Sequence, residues 1–181
     1  MAHIAVAEGI PGIRSLVMFR PESGRHLYAL AQVLLRGDSP LTEAERELIA
    51  AYVSSRNDCM FCMSSHAAAA RYLFKGKKQV VDLVLDDIES AAIDDKLKSL
   101  LNIAGKVQQS GKAVSSKDMD EARRHGATDR DIHDTVLIAA AFSMFNRYVD
   151  GLASWTPTDP AAYEEMGRRI GEQGYVLPGR Q

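Results

Sequence analysis

TEAERELIAAYVSSRNDCMFCMSSHAAAA, Thr42 to Ala70, is the stretch whose reading decides the fold. It opens on a capping box, with Thr42 placed to accept from the backbone at Glu45 while the Glu45 carboxylate reaches back. A helix is therefore predicted from there to about Ser54. Asn57-Asp58 interrupts it, and either residue suits the cap of a second helix that begins at Cys59, carries Ala67 to Ala70 and ends near Phe74, before Gly76. Ala50, Ala51 and Ser54 follow Glu47 along one face, and this stripe of small side chains lets the second helix approach closely. The stretch reads as a helix–turn–helix.

Outward from it the signals stay helical. A lead-in with Gly9, Pro11 and Gly12 precedes a short apolar segment, Ile13 to Phe19. Pro21 opens a helix from about Glu22 to Leu35, with Leu27, Leu30, Ala31 and Leu34 on one face, and Arg36-Gly37-Asp38-Ser39-Pro40 is a turn by composition. Further helices are expected at Lys78–Leu85, Asp94–Gln109 and Lys117–Arg124. Thr128 and Asp131 cap the longest one, which runs to about Val149. After the loop Trp155 to Pro160 comes a last helix to about Ile170. Alternating β-branched runs are missing, so the fold class is all-α. One domain over 1–181 is expected. Residues 152–181 form a tail whose apolar side chains (Trp155, Tyr163, Met166, Ile170, Tyr175, Val176, Leu177) must pack on the body or on a neighbouring subunit.

Composition excludes several classes of partner. The chain has 181 residues, 46% hydrophobic and 25% charged, with a formal net charge of -2. Such a balance gives no electrostatic reason to expect nucleic acid or an anionic membrane. The longest apolar run, Val136 to Phe145, is too short to span a bilayer. The first apolar stretch is broken by Glu8, Gly9 and Pro11, unlike a secretory signal, so a cytoplasmic location is expected. There, a Cys-x-x-Cys pair is more often catalytic or metal-binding than a structural staple.

Both cysteines of the chain fall in that one motif, Cys59-Met60-Phe61-Cys62, with His66 four residues beyond. At the start of a helix, Cys59, Cys62 and His66 share one face. The dipole there favours thiolate, and His66 is one turn from Cys62, near enough to exchange a proton directly or through water. Glu47 is either a buried proton acceptor whose pKa burial raises, or a solvated helix residue like Glu43 and Glu45. Other readings stay open. The pair and His66 are three ligands of a zinc site, with Glu47 or a partner chain as the fourth. Alternatively the cysteines are an inert packed pair. Asn146 is placed to line a pocket mouth. Arg147 either meets an anionic substrate or, as the more economical reading, pairs with Asp150. His26, His125 and His133 read as surface or capping residues, and His3 as part of a mobile terminus.

Glu47-x11-Cys59-x2-Cys62-x3-His66 resembles the signature of the alkylhydroperoxidase D-like (AhpD-like) branch of the carboxymuconolactone decarboxylase superfamily. Leu41 through Ala51, Ser64 to Ala69, the Gly9-Ile10-Pro11-Gly12 lead-in and Phe145-Asn146-Arg147 are similar to its peroxidase-related members. The resemblance implies an AhpD-like helical bundle, a homo-oligomer (trimer or hexamer, or a dimer), and reduction of hydroperoxides by a dithiol cycle. It implies no cofactor and an external dithiol as reductant. In that cycle Cys62 attacks, Cys59 resolves, and Glu47 and His66 relay the proton. One departure is Phe61, where the best-known peroxidases of the family have a histidine. The alternatives are a disulfide reductase or dithiol carrier, and a non-enzymatic redox-sensing or metal-binding oligomer.

Overall fold

The computed structural model describes residues 2–176 and is helical throughout, with no strand among the described residues. The helices are α1 (Ile13–Phe19), α2 (Pro21–Arg36), α3 (Glu43–Arg56), α4 (Met60–Leu73), α5 (Gln79–Asp86), α6 (Asp95–Gln109), α7 (Ser116–Arg124), α8 (Asp129–Gly151) and α9 (Pro160–Gln173). The capping box at Thr42 forms: Glu45 N–H donates to the Thr42 hydroxyl at 3.3 Å, and Thr42 N–H donates to Glu45 Oε2 at 2.7 Å. A second box at Thr128 and Asp131 starts α8.

Helix α3 is the centre of the bundle. Every residue from Arg46 to Ser54 is buried, and α2, α4, α5, α6 and α8 pack around it. A helix apolar on nearly all sides is stable only when enclosed in this way. Its most extensive partner is α4, and small residues are buried on both helices: Ala50, Ala51 and Ser54 on α3, Ala67 and Ala70 on α4. Arg46, itself buried, donates to the carbonyls of Leu34 at 3.0 Å and Gly37 at 2.9 Å. It thereby satisfies carbonyls that the end of α2 would leave orphaned, and it ties α2 to α3.

One correction concerns the turn. Helix α4 starts at Met60, one residue later than expected, with Cys59 as its N-cap in an extended conformation (φ -83, ψ 92). Asp58 accommodates the tight turn before it at φ 56. The tail after Gly151 lies largely on its own chain: α9 packs along α4 and buries Tyr163, Met166 and Ile170. Close approach is the reason for Gly167, since a Cβ there would meet the Ala68 backbone at 2.5 Å. Trp155 and Val176 are exposed, and Leu177 lies outside the described residues.

The lead-in is pinned rather than loose. His3 N–H donates to Leu152 O at 2.9 Å and Gly12 N–H to Trp155 O at 2.8 Å. Gly12 adopts φ +55, and a Cβ on it would sit 2.0 Å from the Phe61 ring. No other residue fits both the backbone and the space.

Candidate functional site

Helices α3 and α4 bring Glu47 and His66 together in the interior. Glu47 is fully buried, and its Oε2 lies 2.7 Å from His66 Nδ1. Its other oxygen, Oε1, accepts from Arg36 Nη2 at 2.6 Å and from the Tyr175 hydroxyl at 2.7 Å. The Tyr175 oxygen is also 3.1 Å from His66 Nδ1, and the Arg36 guanidinium lies over the Tyr175 ring. Four side chains from α2, α3, α4 and the segment after α9 thus form one closed cluster.

The charge state of Glu47 differs from the sequence expectation. Burial does push its carboxyl up, but the His66 charge and hydrogen bond, together with Arg36 and Tyr175, outweigh it and hold Glu47 below the usual carboxylate range. Glu47 is therefore an anion at neutral pH and not a poised neutral acid. Burial first, and then the Glu47 charge, raise the Tyr175 hydroxyl well above its ordinary value, so it remains a donor. An ionised carboxylate only accepts, which makes Nδ1 the protonated nitrogen of His66. Nε2 makes no hydrogen bond among the described residues.

A cavity of about 60 Å³ opens beside this cluster, lined by Cys62, His66 and Tyr175 and walled by Phe61, Phe142 and Met166. Cys59 is not among its lining residues. The two cysteines, both free and buried, therefore occupy different places. Cys62 is the third residue of α4 and borders the cavity, whereas Cys59 is packed beneath, its backbone N–H bonded to Ser54 O at 3.0 Å. Hydrogen bonding to Cys62, then burial, raises the Cys59 thiol far above its ordinary range, opposite to the activation expected of a first-turn cysteine. Cys62 and His66 make no direct hydrogen bond among the described residues. Phe61, standing where a family histidine would be, is wedged between Gly12 and the Tyr163 ring.

Both Glu47 oxygens are engaged, so the carboxylate is not free to complete a metal site with the cysteines. No group of three His, Cys, Asp or Glu side chains among the described residues converges as metal ligands would.

The Asn146–Arg147 segment lies elsewhere. Asn146 is buried and locks the α3–α4 turn to α8: its Nδ2 donates to Ser54 Oγ at 3.0 Å and its Oδ1 accepts from Asn57 Nδ2 at 2.8 Å. It does not line the cavity beside Cys62. Arg147 donates to Ser143 O at 2.9 Å and forms no ion pair with Asp150 among the described residues. Among the histidines His125 bonds Glu121 and His133 bonds Asp134, as befits surface positions.

Arg36 and Tyr175 are the residues that sequence reasoning missed. One was part of a turn and the other part of an apolar tail. No local pattern marks either as a partner of Glu47.

The all-helical fold, with a dithiol turn packed under a helix that carries a buried glutamate, defines an alkylhydroperoxidase-like class of protein. The profile of the Carboxymuconolactone decarboxylase family matches residues 21–85. An alkylhydroperoxidase AhpD core, an uncharacterized peroxidase-related protein from Ralstonia eutropha, is 30% identical with a TM-score of 0.78 over 88% of this chain and 82% of that one. An uncharacterized peroxidase-related protein from Silicibacter is 29% identical, with a TM-score of 0.77 over 88% and 81%. A protein of unknown function from Agrobacterium tumefaciens shares the fold at 21% identity, with a TM-score of 0.69 over 88% of this chain and 100% of that one. No curated protein matches significantly. The chain belongs to the AhpD-like branch of the carboxymuconolactone decarboxylase superfamily.

Proposed function

We propose that the protein is a thiol peroxidase that reduces hydroperoxides through a Cys59–Cys62 disulfide. The observation that carries this reading is the division of the two sulfurs. Only Cys62 borders the cavity, in the first turn of a helix where negative charge is favoured, while Cys59 is the N-cap and does not line it. Cys62 thiolate attacks the distal peroxide oxygen and the O–O bond breaks. The sulfur is oxidised to a sulfenic acid, and the alkoxide leaves with a proton supplied through His66 Nε2. The Cys59 thiol then displaces hydroxide from that sulfenic acid. A disulfide forms and water departs, with the Cys59 proton completing it. An external dithiol returns two electrons and restores both thiols.

Glu47 acts here as a fixed charge. It stabilises the imidazolium and fixes the His66 tautomer, so that the relay runs through His66. Arg36 and Tyr175 are positioning residues that hold the carboxylate. With His66 one turn from Cys62 and no direct bond between them, the proton crosses through a water or the substrate itself. Burial of both sulfurs supports a small oxidant over a protein disulfide, whose sulfur must be reached in line. The homo-oligomer implied by the family remains part of the proposal.

The test is turnover of hydrogen peroxide and of organic hydroperoxides with a dithiol reductant. Turnover should be lost when either cysteine becomes serine. Turnover that survives both single substitutions rejects the reading.

A further inference from the structure

The cavity that exposes Cys62 is also lined by two arginines, Arg14 of α1 and Arg169 of α9, and by Tyr28 of α2. Neither arginine makes an ion pair or a hydrogen bond among the described residues, and Arg14 Nε is buried with no partner. Glu165, one turn before Arg169, has its carboxylate taken by Arg168 at 2.7 and 3.0 Å. Burial, and next the positive charge of Arg14, lower the Arg169 pKa, so the two guanidiniums are near enough to repel one another. Two partly buried like charges without a counter-ion are costly, and an anion between them removes that cost.

The remaining walls select the anion. Ile13, Leu27, Phe142 and Ile170 make them apolar, and the cavity volume of about 60 Å³ is several times the ~10–15 Å³ needed to hold one water. There is room for a short organic chain beside Cys62. A carboxylate matches two guanidinium forks as a planar monoanion. A phosphate would bring further oxygens and a second charge, and of the other polar lining groups Ser65 and Tyr175 already donate to Phe61 O and Glu47, which leaves Tyr28 and His66.

We infer that this cavity takes a short organic hydroperoxide bearing a carboxylate, its anionic end held by Arg14 and Arg169 and its peroxide end at Cys62. The substrate class rests on the peroxidase reading; the carboxylate site does not, because it can be probed without peroxide. Iodoacetate and iodoacetamide alkylate the same sulfur and differ only in the carboxylate. The rate ratio at Cys62, followed by mass spectrometry on the full chain, cancels any change in thiol reactivity. In Arg14→Gln/Arg169→Gln that ratio should fall about tenfold, as expected for loss of charge-assisted hydrogen bonds. An unchanged ratio overturns the inference, as does a Cys62 closed to both reagents.

A second measurement needs no variant: pentanoate should slow iodoacetamide labelling of Cys62 in the unaltered protein, while pentanamide at the same concentration should not. Equal protection by acid and amide overturns the site. Hydrogen peroxide turnover, measured separately, reports on the peroxidase reading alone: its absence together with the tenfold fall of the alkylation ratio in the double variant rejects the peroxide and leaves the carboxylate site standing.

Discussion

The α3–α4 hairpin and the segment after Gly151 border the same cavity, yet they bring different things to it. The hairpin carries Glu47, Cys59, Cys62 and His66, the groups that can change charge or bonding. The later segment contributes Met166 and Ile170 as wall, Arg169 at the lining and Tyr175 as the hydroxyl that closes the Glu47 cluster. One region supplies reactivity and the other supplies the setting in which it is held. If that division is right, substitutions in the hairpin should abolish chemistry. Those in the tail should retune it.

The largest effect is expected at Cys62. Cys62→Ser should leave peroxide turnover at least about a thousandfold down, as for loss of any nucleophile that acts as a unit with its base. Stopped-flow consumption of hydrogen peroxide measures it. Next comes Glu47→Gln, which keeps the shape but leaves the buried Arg36 charge with only the longer pair to Glu43 at 3.7 Å. Breaking a buried pair costs about 3–5 kcal/mol, so a large drop in the urea midpoint is the expected outcome. A loss under about 1 kcal/mol would show that the cluster is not held by charge.

Glu47 also sets a pH signature. Its folded pKa lies below the ordinary value of 4.5, so it contributes stability that is complete above that value. This contribution is lost as pH falls through the depressed folded pKa. Urea midpoints of the protein should therefore decline below about pH 4.5 more steeply than those of Glu47→Gln. Parallel acid limbs for the two proteins would contradict the lowered pKa.

Tyr175→Phe sharpens the comparison from the tail side. It removes one hydrogen bond to a charged group, worth about 1.5–3 kcal/mol. The fold should persist, with a modest fall in Tm and slower labelling of Cys62. The smallest effect is expected at Arg147, which is exposed and away from the cavity. Arg147→Ala should stay within about 0.5 kcal/mol of the parent. An effect on peroxide turnover there would return a substrate role to that residue.

The same two regions explain what was legible before the structure. The capping box at Thr42, the stripe of Ala50, Ala51 and Ser54, and the spacing of Cys59, Cys62 and His66 are local patterns. Helix geometry converts such spacings directly into shared faces. Burial of Glu47 is one of two readings that the small residues beside it leave open. Its charge state does not follow from the motif alone, because besides His66 the groups that lower it are 11 residues back at Arg36 and 128 residues on at Tyr175. Only tertiary packing brings those residues together. The unequal placement of the two sulfurs was hidden for a related reason. A one-residue shift in the start of α4 makes Cys59 a cap and leaves Cys62 as the sulfur at the cavity. Helix boundaries are uncertain by a residue or two from any pattern. Asn146 borders a separate pocket with Asn57, Arg147 and Asp150 rather than the cavity beside Cys62, and its side chain holds Ser54 and Asn57.

The central claim is that Cys62, not Cys59, meets the oxidant. Brief exposure of Cys59→Ser to hydrogen peroxide, followed by dimedone trapping and mass spectrometry, tests it most directly. The account predicts a sulfenic acid adduct at Cys62 in that protein and none in Cys62→Ser. An adduct on Cys59 in Cys62→Ser, with Cys62 unmodified in Cys59→Ser, would contradict it.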